Sequence, residues 1–197
     1  MPKLFFSYAR ADEEGLSLVR EFFDELSAEV RGLIGGDFPE DETAFFDQRD
    51  IRLGEEWEER LKNSLQTAKV LVCLFSPTYF TRFYCGKEMA VFEKRRVDFA
   101  KKQNLPSLPS VILPVIWYPF GDRMPKSVIE MNLQLHEANY PPAYKQEGLK
   151  HLKSLIKHQD DYSELKRKLA LRIQESLKVD LPPLVSPLAI KDVTSLF

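Results

Sequence analysis

"KVLVCLF", residues 69–75, is the stretch of sequence that most directly predicts the fold. Every residue after Lys69 is apolar, and no polar residue alternates with them. Such a run is typical of a strand that is covered on both faces, as in a parallel sheet. We therefore expect this strand at the centre of a sheet that carries helices on both sides.

Other short apolar segments predict the remaining strands. They are "KLFFS" at 3–7, "AFFD" at 44–47, "SVILPVIW" at 110–117 and a short last strand within "LQLHEAN" at 133–139. Pro114 has no N–H to donate, which indicates a strand near the edge of the sheet or a bulge. Together with residues 69–75 these segments predict five strands.

Apolar residues at three- and four-residue steps predict helices between and after the strands. The first helix should begin near Glu14, the second should contain Trp57, Leu61 and Leu65, and the third should run from about 84 to 102. A final helix is indicated by Leu165, Leu169, Ile173 and Leu177. Strands that alternate with helices predict an α/β fold with an open, mostly parallel sheet and helices on both faces.

The composition excludes several classes of function. With 28 basic and 30 acidic side chains the net charge is −2, which argues against nucleic acid and anionic membranes as partners. Two cysteines and three scattered histidines form neither a disulfide framework nor a zinc pattern, so we expect no metal. The first residues do not resemble a signal peptide, and no 18-residue apolar run occurs, which predicts a cytoplasmic protein.

Three polar loops follow the first three strands of the predicted sheet: residues 7–14, 47–56 and 76–88. Ligands of open parallel sheets bind at the carboxyl ends of the strands, where the strand order reverses. In the third loop Tyr84 and Glu88 are four residues apart, so they share a helix face near its beginning. A carboxylate there could bind sugar hydroxyls and stabilise positive charge at an anomeric carbon. It is equally compatible with an ordinary acidic residue at a helix start.

Residues 3 to about 100 resemble a TIR (Toll/interleukin-1 receptor) domain of the prokaryotic kind. The resemblance rests on three ordered signatures: "FFSY" at 5–8, "FFDQRDIRLG" at 45–54, and "SPTY" at 76–79 followed by "YCGKE" at 84–88. The family has a tryptophan where this chain has Tyr84. The resemblance implies a flavodoxin-like TIR fold with a five-stranded parallel sheet over residues 1–180. Residues 181–197 are proline-rich and are interpreted as a tail folded back on the domain or as a linker to a domain outside this chain.

Many TIR domains of this kind cleave NAD+ between nicotinamide and ribose, and the resemblance therefore implies an NAD+ glycohydrolase. NAD+ would be the substrate, no cofactor would be needed, and the product would be ADP-ribose or a cyclic isomer. The family's catalytic glutamate corresponds to Glu88. The resemblance places the substrate-binding residues at Ser7, Tyr8, Arg10, Phe46, Ser76, Tyr84 and Cys85.

The same resemblance implies a bacterial immune effector that is activated by self-association with other TIR domains. The alternative is an adaptor that only binds other TIR domains, through the loop after the second strand, with no chemistry. A phosphoacceptor regulator of the flavodoxin-like class is disfavoured because Asp47 follows the second strand rather than the third.

Overall fold

The computed structural model describes residues 3–12, 17–35, 44–46, 55–184 and 192–197, with the backbone alone for residues 45, 46, 55–58 and 60. Within these residues the chain forms one parallel sheet with the strand order β2-β1-β3-β4. The strands are β1 (Leu4–Ser7), β2 (Ala44–Phe46), β3 (Val70–Phe75) and β4 (Ile112–Ile116).

Seven α-helices are described around this sheet. They are α1 (Leu18–Ile34), α2 (Glu55–Thr67), α3 (Phe83–Lys102), α4 (Lys126–Glu130), α5 (Pro142–Glu147), α6 (Leu149–Ser154) and α7 (Gln159–Leu177). The predicted second, third and final helices are thus present, and the described part of the first begins at Leu18. No helix among the described residues is long and apolar enough to cross a membrane.

The strand β3 lies between β1 and β4 and is buried along its whole length, as its apolar run predicts. Val70, Val72 and Leu74 pack into a core that contains residues of α1 and α7. The alternate residues Leu71 and Cys73 pack into a second core, which contains residues of α2 and α3. Helices therefore cover both faces of the sheet, which confirms the predicted α/β architecture.

The described residues form four strands rather than the predicted five. Residues 133–139 were expected to contain the last strand, but they pair with no neighbouring strand. Two of their backbone carbonyls, of Gln134 and Asn139, accept hydrogen bonds from Arg172 and Lys168 of α7 instead. The strand β4 is consequently an edge of the described sheet, the position that Pro114 indicates.

The strand order places a topological switch point at β1. This strand pairs with β2 on one side and with β3 on the other, so the next two strands of the chain lie on opposite sides of it. The carboxyl ends of β1 and β3 are neighbours, with Ser7 in register with Cys73. The loops that follow these two strands therefore meet above one end of the sheet, where a ligand site is expected.

Candidate active site

A cleft of about 500 Å³ opens at the carboxyl ends of β1 and β3. Its volume lies within the range of small-molecule sites. The residues that line it come from the end of β1, the loop that follows it, the loop after β3 and the start of α3: Phe6, Tyr8, Ala9, Arg10, Ala11, Thr81, Arg82, Phe83, Tyr84, Cys85 and Glu88. Two of the three predicted loops thus form one cavity.

Glu88 belongs to the second turn of α3 and lines this cleft while being only 4% exposed. Its Oε2 accepts a hydrogen bond from Ser7 Oγ at 2.5 Å. The Ser7 oxygen is also 2.8 Å from the hydroxyl of Tyr79, which follows β3. Because a serine hydroxyl has one proton and Ser7 gives it to Glu88, Tyr79 is the donor in the second bond. Glu88 is therefore held in one orientation by a buried chain of hydroxyl groups.

Two further predicted residues form the wall of the cleft beside Glu88. Tyr84 is 44% exposed and lines the cleft, so part of its ring is accessible to a ligand. Cys85 is buried, and its thiol donates a weak hydrogen bond to the backbone carbonyl of Tyr8 at 3.5 Å. This bond joins the start of α3 to the loop after β1.

The predicted substrate-binding residues fall into three groups in the structure. Tyr8, Arg10, Tyr84 and Cys85 line the cleft together with Glu88. Ser7 and Ser76 are buried beneath it, where they hydrogen-bond to other side chains rather than forming its wall. The side chain of Phe46 lies outside the described part of the structure.

Three residues of this region were not predicted from the sequence. Arg82 lines the cleft, and Tyr79 supports Glu88 through Ser7. Asp12 is buried and accepts a hydrogen bond from Ser76 Oγ at 2.5 Å. Its position in the loop after β1 could have indicated a site residue. However, it belongs to the acidic run "ADEE", in which the sequence does not distinguish it from its neighbours.

Burial raises the pKa of the Asp12 carboxyl above its ordinary value of 3.8, against the opposing effect of hydrogen bonds from Ser76 and Thr78. A carboxyl whose pKa is higher in the folded state than in the unfolded state stabilises the fold most at pH values below 3.8. This stabilisation is lost as the pH rises through the pKa of the folded state. Asp12→Asn does not titrate but keeps an acceptor for Ser76. The free energy of unfolding of the wild type, measured relative to this variant, should therefore decrease from pH 3.5 to pH 7.

Urea unfolding of both proteins at several pH values checks this expectation, and all other titrating groups cancel in the difference. A difference that stays constant or increases with pH would show that Asp12 is not held in a desolvated environment.

The electrostatic character of the cleft favours a ligand with negative charge at its outer part. Arg10 and Arg82 both contribute to its lining. Arg82 is also the N-cap residue of α3, a 20-residue helix whose first N–H groups have no partner within the helix. Among the described residues, no group of three or more His, Cys, Asp or Glu side chains could hold a metal ion.

A comparison with models of protein families places these residues in a known context. The model described as "TIR domain" matches residues 4–120, more than half of the chain. The chain belongs to the TIR domain family. No curated protein and no solved structure matches it.

The match to the TIR family covers β1 to β4 and ends just after the last strand of the described sheet. It therefore includes both loops that line the cleft of this TIR domain. The helices α4 to α7 lie beyond the matched residues, although α7 packs against α1 on one face of the sheet.

Proposed function

We propose that this TIR domain cleaves NAD+ at the bond between nicotinamide and ribose, with Glu88 as the catalytic residue. The observation that supports this proposal best is the placement of Glu88, which lines the cleft and whose carboxylate accepts a hydrogen bond from Ser7. A charged group that is fixed before the substrate arrives is the arrangement that stabilises a charged transition state most effectively.

The reaction needs one carboxylate rather than the usual pair. When the glycosidic bond breaks, its electron pair goes to the pyridinium nitrogen, so nicotinamide leaves as a neutral molecule and needs no proton. Positive charge develops on the ribose as an oxocarbenium-like species, and Glu88 stabilises it. Water then attacks the anomeric carbon and loses a proton to give ADP-ribose, or the adenine ring attacks to give a cyclic isomer.

The rest of the cleft fits the other parts of an NAD+ molecule. A diphosphate carries two negative charges, which suit the guanidinium groups of Arg10 and Arg82 and the start of α3. The half-exposed ring of Tyr84 offers a face on which a base can stack. We propose Ser7 as a residue that positions Glu88 rather than one that contacts the substrate, because it is buried beneath the cleft.

Tyr84→Ala should weaken substrate binding and preserve turnover. Stacking of a base on an aromatic ring contributes about 1–3 kcal/mol, so KM for NAD+ should rise by about 5- to 150-fold. Since stacking is present in both the ground state and the transition state, kcat should change little. Steady-state kinetics measure both constants, and Tyr84→Phe, which keeps the ring, is the matched control. A fall in kcat without a change in KM would place Tyr84 outside the binding face.

We further propose that the domain is the effector part of a bacterial immune protein and that self-association activates it. The competing function is that of an adaptor, which binds other TIR domains without chemistry. Of its proposed contact loop, residues 48–56, only residues 55 and 56 belong to the described part of the chain. The two functions are distinguished by assaying NAD+ cleavage at high protein concentration, at high dilution, and after clustering on beads through an affinity tag. Activity that rises on clustering supports the proposed effector, whereas self-association with no cleavage supports the adaptor.

A further inference from the structure

Residues 193–197 form a short segment, here called the strap, that lies against the start of α3. The Leu196 N–H donates to the backbone carbonyl of Gly86 at 3.3 Å. The Leu196 carbonyl accepts a hydrogen bond of 2.6 Å from Ser127 Oγ in α4. Val193, Leu196 and Phe197 also pack against the core that contains α2 and α3. The strap is therefore fixed by both backbone and side-chain contacts. Its hydrogen bond to Gly86 lies two residues before Glu88 in α3.

Gly86 permits this close approach because it has no side chain. A Cβ atom at this position would lie 2.0 Å from Ser195 Oγ and 3.1 Å from the backbone nitrogen of Leu196. A larger residue would require the Ser195 side chain to turn away and the backbone of the strap to shift by a few tenths of an ångström. Glycine within a helix destabilises it relative to alanine, so the helix itself does not account for this residue. The strap does.

The strap also reaches the hydroxyl chain that holds Glu88. The ring of Phe197 lies 5.9 Å from the ring of Tyr79 and 5.7 Å from that of Phe80, measured between centroids. Tyr79 is fully buried, and its hydroxyl donates to Ser7, which donates to Glu88. Burial raises the pKa of Tyr79 well above its ordinary value, so the tyrosine keeps the proton that this chain of bonds requires.

From these contacts we infer that the strap is a positioning element for Glu88, acting through the Gly86 backbone and the Tyr79 ring. The inference rests on the proposed function, because it assigns the strap to the same catalytic carboxylate. With the strap in place, the backbone of α3 at Gly86 and the ring of Tyr79 each contact a residue of the strap. When it is displaced, both lose these contacts, and Glu88 is held less firmly at the cleft. None of the residues that line the cleft belongs to the strap itself.

Two substitutions displace the strap in different ways. Gly86→Ala introduces a methyl group into the space that Ser195 occupies. Phe197→Ala removes the ring that packs on Tyr79 and leaves Gly86 unchanged. Gly32→Ala is the matched control for the first, because Gly32 is also within a helix and a Cβ there would meet nothing within 4 Å. Phe197→Tyr, which keeps the ring, is the control for the second.

Amide hydrogen exchange and NAD+ kinetics on the full chain test the inference. In Gly86→Ala and Phe197→Ala, exchange at residues 86–89 should become about tenfold faster, because local opening of this turn becomes easier. The value of kcat should fall by about 10- to 100-fold with KM within about twofold, as expected when a catalytic group is misplaced. Gly32→Ala and Phe197→Tyr should match the wild type in both measurements.

Unchanged exchange at residues 86–89 in both strap variants would overturn the inference, and so would faster exchange with an unchanged kcat. If the wild type releases no nicotinamide, the proposed function is wrong, independently of the result for the strap. Hydrogen exchange then still decides whether the strap holds the second turn of α3.

Discussion

Replacing Glu88 by glutamine should lower the rate of NAD+ cleavage by about 10²–10³, or about 3–4 kcal/mol of barrier, the usual loss when one preorganised electrostatic partner is removed. The substitution is nearly isosteric but removes the charge that opposes the developing oxocarbenium ion. Binding of NAD+ through Tyr84 and the arginines should persist, so kcat should fall far more than KM rises. Release of nicotinamide measured over hours, at saturating NAD+, resolves a change of this size.

The same substitution should leave the fold intact, although Glu88 is only 4% exposed and accepts a hydrogen bond from Ser7. Glutamine can accept this bond through its amide oxygen. The bond becomes weaker by about 1 kcal/mol, while the cost of burying a charge disappears, so the free energy of unfolding should change by no more than about 1 kcal/mol.

Glu130→Gln is the matched control for Glu88→Gln, because Glu130 is an exposed residue of α4 outside the lining of the cleft. It should retain wild-type activity. If folded Glu88→Gln protein turns over NAD+ at a rate near that of the wild type, Glu88 is an acidic residue of a helix start and nothing more.

Trp117→Ala should be the most destabilising single substitution that we propose. Trp117 is fully buried directly after β4, and its ring lies 6.1 Å from that of Phe22 in α1. Its backbone carbonyl accepts a hydrogen bond from the N–H of Lys150. Truncation of such a side chain leaves a cavity that costs about 3–5 kcal/mol, which for a domain of this size lowers Tm by about 10 °C. Urea and thermal unfolding followed by circular dichroism measure the loss.

The tryptophan also offers an informative control. Its indole Nε1 is buried and has no hydrogen-bond partner among the described residues. Trp117→Phe loses some volume but removes this unsatisfied donor, whose burial costs about 1–3 kcal/mol. We therefore expect the phenylalanine variant to lose less than half as much stability as the alanine variant. Equal losses in the two variants would show that the indole N–H is satisfied in solution.

The fold was predictable where the signal was local. An apolar run without alternation predicted β3 as a buried central strand. A proline within another run indicated a strand near the sheet edge or a bulge, and β4 is an edge of the described sheet. The missing fifth strand was not predictable in this way. Whether residues 133–139 pair depends on a neighbour that takes up their backbone groups, and there the long side chains of α7 do so. This competition involves residues some 30 positions away in the sequence.

The candidate site shows the same division between local and non-local information. The family resemblance predicted Tyr8, Arg10, Tyr84, Cys85 and Glu88 as site residues, and all five line one cleft. The signatures did not distinguish residues that form the wall from residues that support it. That distinction depends on pairs far apart in the chain: Ser7 with Glu88 is separated by 81 residues and Ser76 with Asp12 by 64.

The account depends most on the claim that this TIR domain breaks the nicotinamide–ribose bond of NAD+. Incubation of concentrated or bead-clustered protein with NAD+, followed by chromatographic separation of nicotinamide, ADP-ribose and cyclic isomers, tests it directly. We expect nicotinamide to appear together with an equal amount of ADP-ribose or one cyclic isomer, and about 10²–10³-fold less of these products from the Glu88→Gln protein in the same time. If folded, clustered wild-type protein leaves NAD+ intact, or if the Glu88→Gln protein cleaves it equally well, the proposed function is wrong.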